Sequence, residues 1–258
     1  MFAPVKGVSE AIFVAEPVSR RDRLRAATVR EIKDTARAML VAEGPQGLTL
    51  RAIAREMGMS APALYRYFPS RDELVEGLIA ELFDEVSTGM ETARDASPDD
   101  PVPLKLAAVS RAFRSWAVSH PAEFSLLFGN GIGGEARQPG RLQDEAGQRF
   151  GSIFSGLIAQ IYLDKPFPIP ADDEIDDALR AQLAEYGRKL PVPLPVGVTQ
   201  VFLSCWIRLY GIVSMEAFGH LRFALEDVHP MFEAELRGLS ELLGVADAYQ
   251  PPPSRGGG

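Results

Sequence analysis

The stretch Gly47 to Phe68, GLTLRAIAREMGMSAPALYRYF, narrows the possible folds more than any other part of the chain. Thr49 stands where a side-chain oxygen can cap a helix, and Leu50, Ile53, Ala54 and Met57 follow at helical spacing. Gly58 can take the positive φ that a sharp exit requires. Ser60 caps a second short helix, with Pro62 in its first turn, where a missing N–H costs nothing, and Pro69 closes it. Ala54 is small enough for the two helices to approach closely, and Leu64 and Phe68 lock the second onto the first. Two short helices, a tight turn and one apolar seam make the layout of a helix-turn-helix, whose second helix enters the major groove of DNA.

The net charge of −8 runs against that reading until its distribution is considered. Residues 20–71 hold eleven Lys/Arg against five Asp/Glu, whereas residues 72–258 hold fifteen against twenty-eight. A phosphate backbone rewards local positive charge, so only one end of the molecule is expected to meet DNA. The chain is 46% hydrophobic and 24% charged, as ordinary globular proteins are. No apolar run stands out as a membrane span. The patch Ala11–Ala15 is flanked by Glu10 and Glu16 without a basic segment before it, so no signal peptide is expected. The lone Cys205 excludes an intramolecular disulfide and suits a reducing cytoplasm.

Nearly everything else reads as helix. Thr28 with Glu31 resembles a capping box, followed by Ile32, Ala36, Met39 and Leu40, and Gly44-Pro45 ends that first helix. Ser70 with Glu73 starts a fourth helix reaching about Arg94. The polar, proline-bearing segment 95–103 marks a domain boundary. Helices are expected over 103–119, 121–128, 141–162, 173–187, 196–220 and 230–243, with a glycine-rich loop from Gly129 to Gly140 and proline breaks at 166–170 and 191–195. No period-2 strand pattern and no internal repeat emerges. The fold class is therefore all-α. Residues 1–19 read as a flexible extension, 20–74 as the helix-turn-helix domain, 95–245 as a larger helical domain and 246–258 as a disordered tail.

Ala61, Pro62, Ala63, Tyr65, Arg66 and Tyr67 fall on the open half and flank of the second short helix, and Thr49 and Ser60 place helix N-termini where phosphates can sit. The segment from about Thr28 to Leu74 resembles the DNA-binding domain of the TetR family of tetracycline-repressor-like bacterial regulators. The residues that carry the resemblance are Gly47-Leu48-Thr49, Ile53-Ala54, Gly58 and Leu64-Tyr65-Arg66-Tyr67-Phe68-Pro69-Ser70-Arg71. It implies that Thr49, Arg51, Tyr65, Tyr67 and Arg71 contact phosphate and that Ala61, Pro62 and Ala63 face bases. Those three small side chains can only pack on thymine methyls, so specificity is expected to lean on Arg51, Arg66 and DNA shape. Arg20-Arg21-Asp22-Arg23-Leu24-Arg25 reads either as an arm for a minor groove or as a solvated helix start.

Residues 104–243 resemble the WHG-type C-terminal domain of the same family, on Trp116, His120-Pro121, Gly129 and the later CWIRLYGIVSMEAFGHL; Tyr210 stands before Gly211 where histidine is frequent. The resemblance implies a homodimer through the last two long helices, with Val201, Cys205, Leu209, Ile212, Phe232, Leu236, Leu239 and Leu243 at the interface. It also implies a cavity for a small effector, lined by Phe113, Trp116, His120, Phe124, Phe128, Phe154, Trp206 and Tyr210, and the absence of a charge cluster among these residues points to a largely apolar ligand. Effector binding would move the fourth helix and release a palindromic double-stranded operator, the action of a repressor.

Other signals are discounted. Gly129-Asn130-Gly131-Ile132-Gly133-Gly134 fits a dinucleotide fingerprint but follows no strand. The acids 172–177 lack the glycine and terminal glutamate of a calcium loop and suit a helix start. His120, His220 and His229 have neither metal-ligand nor triad spacing. No catalytic residue, metal or cofactor is expected. The alternatives are an all-helical enzyme using the C-terminal cavity, which would need positioned acid–base groups, and a DNA binder without an effector.

Overall fold

The computed structural model describes residues 19–44, 47–129 and 145–251. The extension before Ser19, the glycine-rich loop beyond Gly129 and the tail beyond Pro251 lie outside the described residues. Among the described residues ten α-helices follow one another: α1 Arg20–Glu43, α2 Leu50–Glu56, α3 Ala61–Tyr65, α4 Arg71–Asp95, α5 Val102–Ser119, α6 Pro121–Phe128, α7 Glu145–Asp164, α8 Asp177–Lys189, α9 Val196–Ala217 and α10 His229–Leu242. No strand occurs among the described residues.

Local chemistry sets most boundaries. Thr49 accepts a hydrogen bond from the Ala52 amide at 3.2 Å and Ser70 one from the Glu73 amide at 3.1 Å. Gly58, at φ 65°, turns the chain from α2 into α3. Gly219, at φ 70°, ends α9 earlier than its apolar pattern suggests, and the His220 amide bonds back to the Met215 carbonyl. The first helix begins eight residues before Thr28. Ser19 is its cap, accepting from the Asp22 amide at 3.1 Å, and the Thr28 hydroxyl only donates to the Leu24 carbonyl inside the helix. The basic run Arg20–Arg25 is thus helix from its first residue, so the extended-arm reading does not hold.

With five residues, α3 cannot stabilise itself through its own hydrogen bonds. It is held by its packing on α2 and by Leu64 and Phe68, which are buried in the core; burying one such side chain contributes about 1.5–3 kcal/mol. The same hydrophobic core runs on without a break through α4 into α5, α7, α9 and α10. In α4, Leu74, Val75, Leu78, Leu82, Phe83, Val86 and Met90 are buried, and the helix packs on α1, α5, α6 and α7. It is therefore shared between the helix-turn-helix and the rest of the molecule. Where α8 crosses α9, a Cβ added at Gly187 would lie 2.8 Å from Thr199 Oγ1 and 3.0 Å from the Leu194 carbonyl, so only glycine fits that approach.

Residues 246–250, read as the start of a disordered tail, instead form a 3-10 turn, Ala246–Ala248, and a strap over α5 and α10. The Tyr249 hydroxyl donates to Glu233 Oε2 at 2.7 Å. Arg111 grips both Glu233 oxygens at 2.9 and 2.8 Å and the Gln250 carbonyl at 2.9 Å. Arg237 lies over the Tyr249 ring.

By length and composition α9 is apolar enough to cross a membrane, although half of that stretch is buried inside the chain. Gln200, Arg208 and Glu216 interrupt the apolar run, which is why it does not stand out in the sequence.

Candidate nucleic-acid interface and effector cavity

The helix-turn-helix presents Arg51 and Arg55 of α2, Pro62 of α3 and Arg66 beyond it as exposed side chains, with Tyr65 46% exposed and Ala61 and Ala63 half-buried. Thr49 is exposed at the start of α2. Ser60 stands at the N-cap of α3, but its side chain makes no capping hydrogen bond. Two expected phosphate contacts have internal partners. Arg71 Nε donates to the Leu48 carbonyl at 2.7 Å, tying the start of α4 to the loop before α2. Tyr67 is half-buried beneath the Arg25 guanidinium, which sits 5.2 Å from the ring centroid. Sequence reasoning does not single out Arg21, Arg25 and Arg55 as separate contacts. The Ser19-x-x-Asp22 spacing, which starts a helix just before the basic run, is the signal available for the first two.

The aromatic set in the C-terminal half does come together, but as packing. Phe113 lies at its centre, with the rings of Phe124, Phe128, Phe150, Phe154 and Trp206 all between 5.5 and 6.2 Å away. The Tyr210 hydroxyl donates to the Phe128 carbonyl at 3.1 Å. Phe113 and Phe124 are fully buried. A cavity of about 40 Å³ lies beside this cluster, between α5, α7, α9 and α10. Of the aromatic residues expected to line a pocket, only Phe154 and Trp206 border it.

The residues expected at a dimer interface have a different place. Val201, Cys205, Leu209, Ile212, Phe232, Leu236, Leu239 and Leu243 are all buried within their own chain. Cys205, Leu209, Leu236, Leu239 and Leu243 border the cavity. The reason is rotational phase. α9 is apolar on nearly every side, and packing on α5 and α7 turns these residues inward. The outward sides of α9 and α10 carry Ile207, Met215 and Met231, which are 67%, 41% and 44% exposed.

The cavity wall bears no ionised side chain. The Ser110 and Ser240 hydroxyls each donate to the carbonyl four residues back, Leu106 and Leu236, at 2.9 Å, so each offers only acceptor lone pairs inward. Burial pushes the Cys205 thiol up to about 12, so it is neutral at physiological pH. The wall is thus uncharged and mainly apolar. No cluster of His, Cys, Asp or Glu suited to a metal occurs among the described residues.

A polar junction connects the two halves. Arg37 of α1 bonds Glu85 of α4 at 2.6 and 3.2 Å and Glu123 of α6 at 3.0 Å. Glu85 also accepts from Trp116 Nε1 at 2.7 Å, and Trp116 stacks on His120, whose Nδ1 lies 3.0 Å from the Trp116 carbonyl. Burial raises the Glu85 carboxyl, but the bonds from Arg37 and Trp116 outweigh it and hold the group below its ordinary range. The junction abuts the aromatic cluster through Phe124, next in sequence to Glu123.

Comparison with known proteins agrees with both halves. The family described as bacterial regulatory proteins, tetR family, matches residues 25–78, and the tetracyclin repressor-like C-terminal domain matches residues 106–239. Trp116, His120 and Gly129 lie within the second match. The HTH-type transcriptional regulator Rv1816 of Mycobacterium tuberculosis is 32% identical over 233 residues, covering 88% of this chain and 96% of that protein. The crystal structure of SCO4313 superposes with a TM-score of 0.68 at 31% identity, covering 86% of this chain and 98% of the other. A TetR/AcrR-family regulator from Thermobifida fusca, 15% identical, has a TM-score of 0.54 over 83% of this chain and 96% of its own, a likeness of fold alone.

Proposed function

This chain belongs to the TetR family of bacterial transcriptional regulators, which bind DNA, and on that premise we propose that it is a homodimeric, cytoplasmic repressor released from a palindromic operator by a small, largely apolar ligand. The observation that carries the reading is the pairing of the exposed helix-turn-helix with an uncharged cavity lined by α5 and α7, the two helices on which the shared helix α4 packs.

Phosphate contacts come from Thr49, Arg51, Tyr65, Tyr67 and Arg66, with Ser60 at the start of α3. Arg71 stands with them, its Nε given to the Leu48 carbonyl. Ala61, Pro62 and Ala63 read little beyond thymine methyls, which leaves specificity to the arginines and to DNA shape. The partner subunit meets the outward faces of α9 and α10 around Ile207, Met215 and Met231, rather than the buried set. Two helix-turn-helices then face half-sites one or more helical turns apart, about 34–36 Å in the simplest case. Ligand in the chamber favours a packing of α5, α7 and α9 that shifts α4, and operator affinity falls by the coupling free energy.

A mobility-shift titration of the full chain on the DNA upstream of its own gene tests the reading. A retarded complex of two subunits per site, weakened by a ligand that also raises the melting temperature, is the expected result. Failure to shift any such duplex at low salt overturns it. A ligand that stabilises the protein yet leaves the shift unchanged overturns its effector part.

A further inference from the structure

Arginines in this molecule fall into two groups. Arg94, Arg111, Arg114, Arg149, Arg180, Arg188 and Arg208 are each ion-paired within the chain. Arg20, Arg23, Arg30, Arg51, Arg55, Arg222 and Arg237 have no carboxylate within ion-pair distance among the described residues, and neither do Arg21, Arg25 and Arg66. These three border one surface cleft of about 500 Å³ between the first two turns of α1 and the end of α3, with Leu24, Thr28 and Tyr67. The single acid there, Asp22, accepts the Ser19 hydroxyl at 2.6 Å and belongs to the helix cap. Arg25 is steadied over the Tyr67 ring, 5.2 Å from its centroid, a contact that fixes the guanidinium without neutralising it and leaves its N–H edge available. A cleft with three unneutralised guanidiniums, one of them held in place, has the chemistry of an anion clamp.

We propose that Arg21, Arg25 and Arg66 clamp a backbone phosphate of DNA outside the stretch read by α3, which makes α1 a DNA-contacting element and not only a support for the helix-turn-helix. The proposal rests on the DNA-binding reading. It differs from a minor-groove arm, because the basic run is helical from Arg20, Arg25 stacks on Tyr67 and Arg21 borders the same cleft, rather than trailing from the fold. A phosphate clamp adds affinity equally on every sequence and makes that affinity salt-dependent.

The test is fluorescence anisotropy of the full-length protein on an operator duplex and a scrambled duplex of the same length, across a salt series. Variants are Arg21→Ala, Arg25→Ala and, as control, the exposed and unpaired Arg222→Ala in the C-terminal half. Each clamp variant is expected to lower the slope of log K against log salt by ~0.9 for every phosphate it no longer neutralises. It should also weaken both duplexes by the same factor, on the order of tenfold at moderate salt. Arg222→Ala should change neither quantity. Circular dichroism melts confirm that the variants are folded. An unchanged slope and affinity in Arg21→Ala and Arg25→Ala, with wild type still binding, overturns the clamp and leaves the DNA-binding reading intact. A loss confined to the operator duplex also overturns it, because that marks base reading. No binding by the wild-type chain defeats the DNA-binding reading itself.

Discussion

Arg37 of α1 donates through Nε to Glu123 of α6 at 3.0 Å, and that carboxylate is buried. The same guanidinium forks onto Glu85 of α4. One side chain of the DNA-binding half thus neutralises acids on two helices, one of which carries Phe124 into the aromatic core.

Arg37→Ala leaves Glu123 buried with its charge unmatched. Because Arg37 is itself partly exposed, the expected cost is about 1–3 kcal/mol, below the full penalty for breaking a buried pair. Urea unfolding at neutral pH measures it. Adding Glu123→Gln to Arg37→Ala should recover part of the loss, since the unpaired charge is then gone. If the double variant is no more stable than Arg37→Ala, the buried charge is not the cause.

Acid should destabilise the molecule through its gripped carboxylates. For both Glu85 and Glu233 burial pushes the group up, but hydrogen bonds outweigh it: Arg37 and Trp116 for Glu85, Arg111 and Tyr249 for Glu233. Both therefore lie below the ordinary value of 4.5 in the folded state. Their stabilisation is fully present above that value and is lost as pH falls from it through the folded pKa. Melting temperatures measured from pH 7 to pH 3 should decline below about 4.5, and Glu233→Gln should decline less steeply than wild type. Parallel curves for the two would exclude Glu233 as a contributor.

The Cys205 thiol, buried and raised to about 12, should resist a thiol reagent such as DTNB in the native protein and react fully in denaturant. A ligand that fills the chamber should slow the residual native reaction further, since Cys205 lies on its wall. Rapid labelling of folded protein would contradict the burial of Cys205.

Ile207→Asp places a charge on the outward face of α9, where the side chain is 67% exposed in the single chain. Fold stability of the isolated subunit should barely change, whereas light scattering should show a shift from dimer to monomer and operator affinity should fall. A dimer that persists unchanged in Ile207→Asp moves the interface elsewhere.

Gly58→Ala forces a side chain into φ 65° between α2 and α3. The added Cβ meets no atom, so the expected cost is backbone strain alone, about 1–2 kcal/mol. Operator binding should weaken while the ligand-induced rise in melting temperature persists. If operator affinity is unchanged, the turn is not what aims α3.

What is legible in the sequence has local causes. Thr49, Gly58 and Ser70 specify their boundaries through their own hydrogen bonds or dihedral angles, and each boundary lies where those residues predict it. The start of α1 is misplaced from sequence because Thr28 with Glu31 imitates a cap that Ser19 with Asp22 supplies. The rotation of α9 is not legible, since Ile207 and Leu209 are equally apolar and only the packing of α5, α7, α8 and α10 around the helix decides which is covered. The strap over α10 depends on Arg111 meeting Gln250, a pairing across 139 positions that no local pattern announces.

The acids along α4 are held from two sides. Lys33 and Arg37 of α1 take Glu81 and Glu85, and Arg149 of α7 takes Asp84 and Glu91. The helix is 25 residues long, a rod of about 37 Å. Tilting such a rod by about 5° carries its far end through about 3 Å, close to the rise of one base pair. Any such tilt stretches ion pairs on two faces of α4, to α1 on one and to α7 on the other. On the proposed reading, a displacement of that size is all that ligand binding has to produce at α4 to put the recognition helix out of step with its half-site.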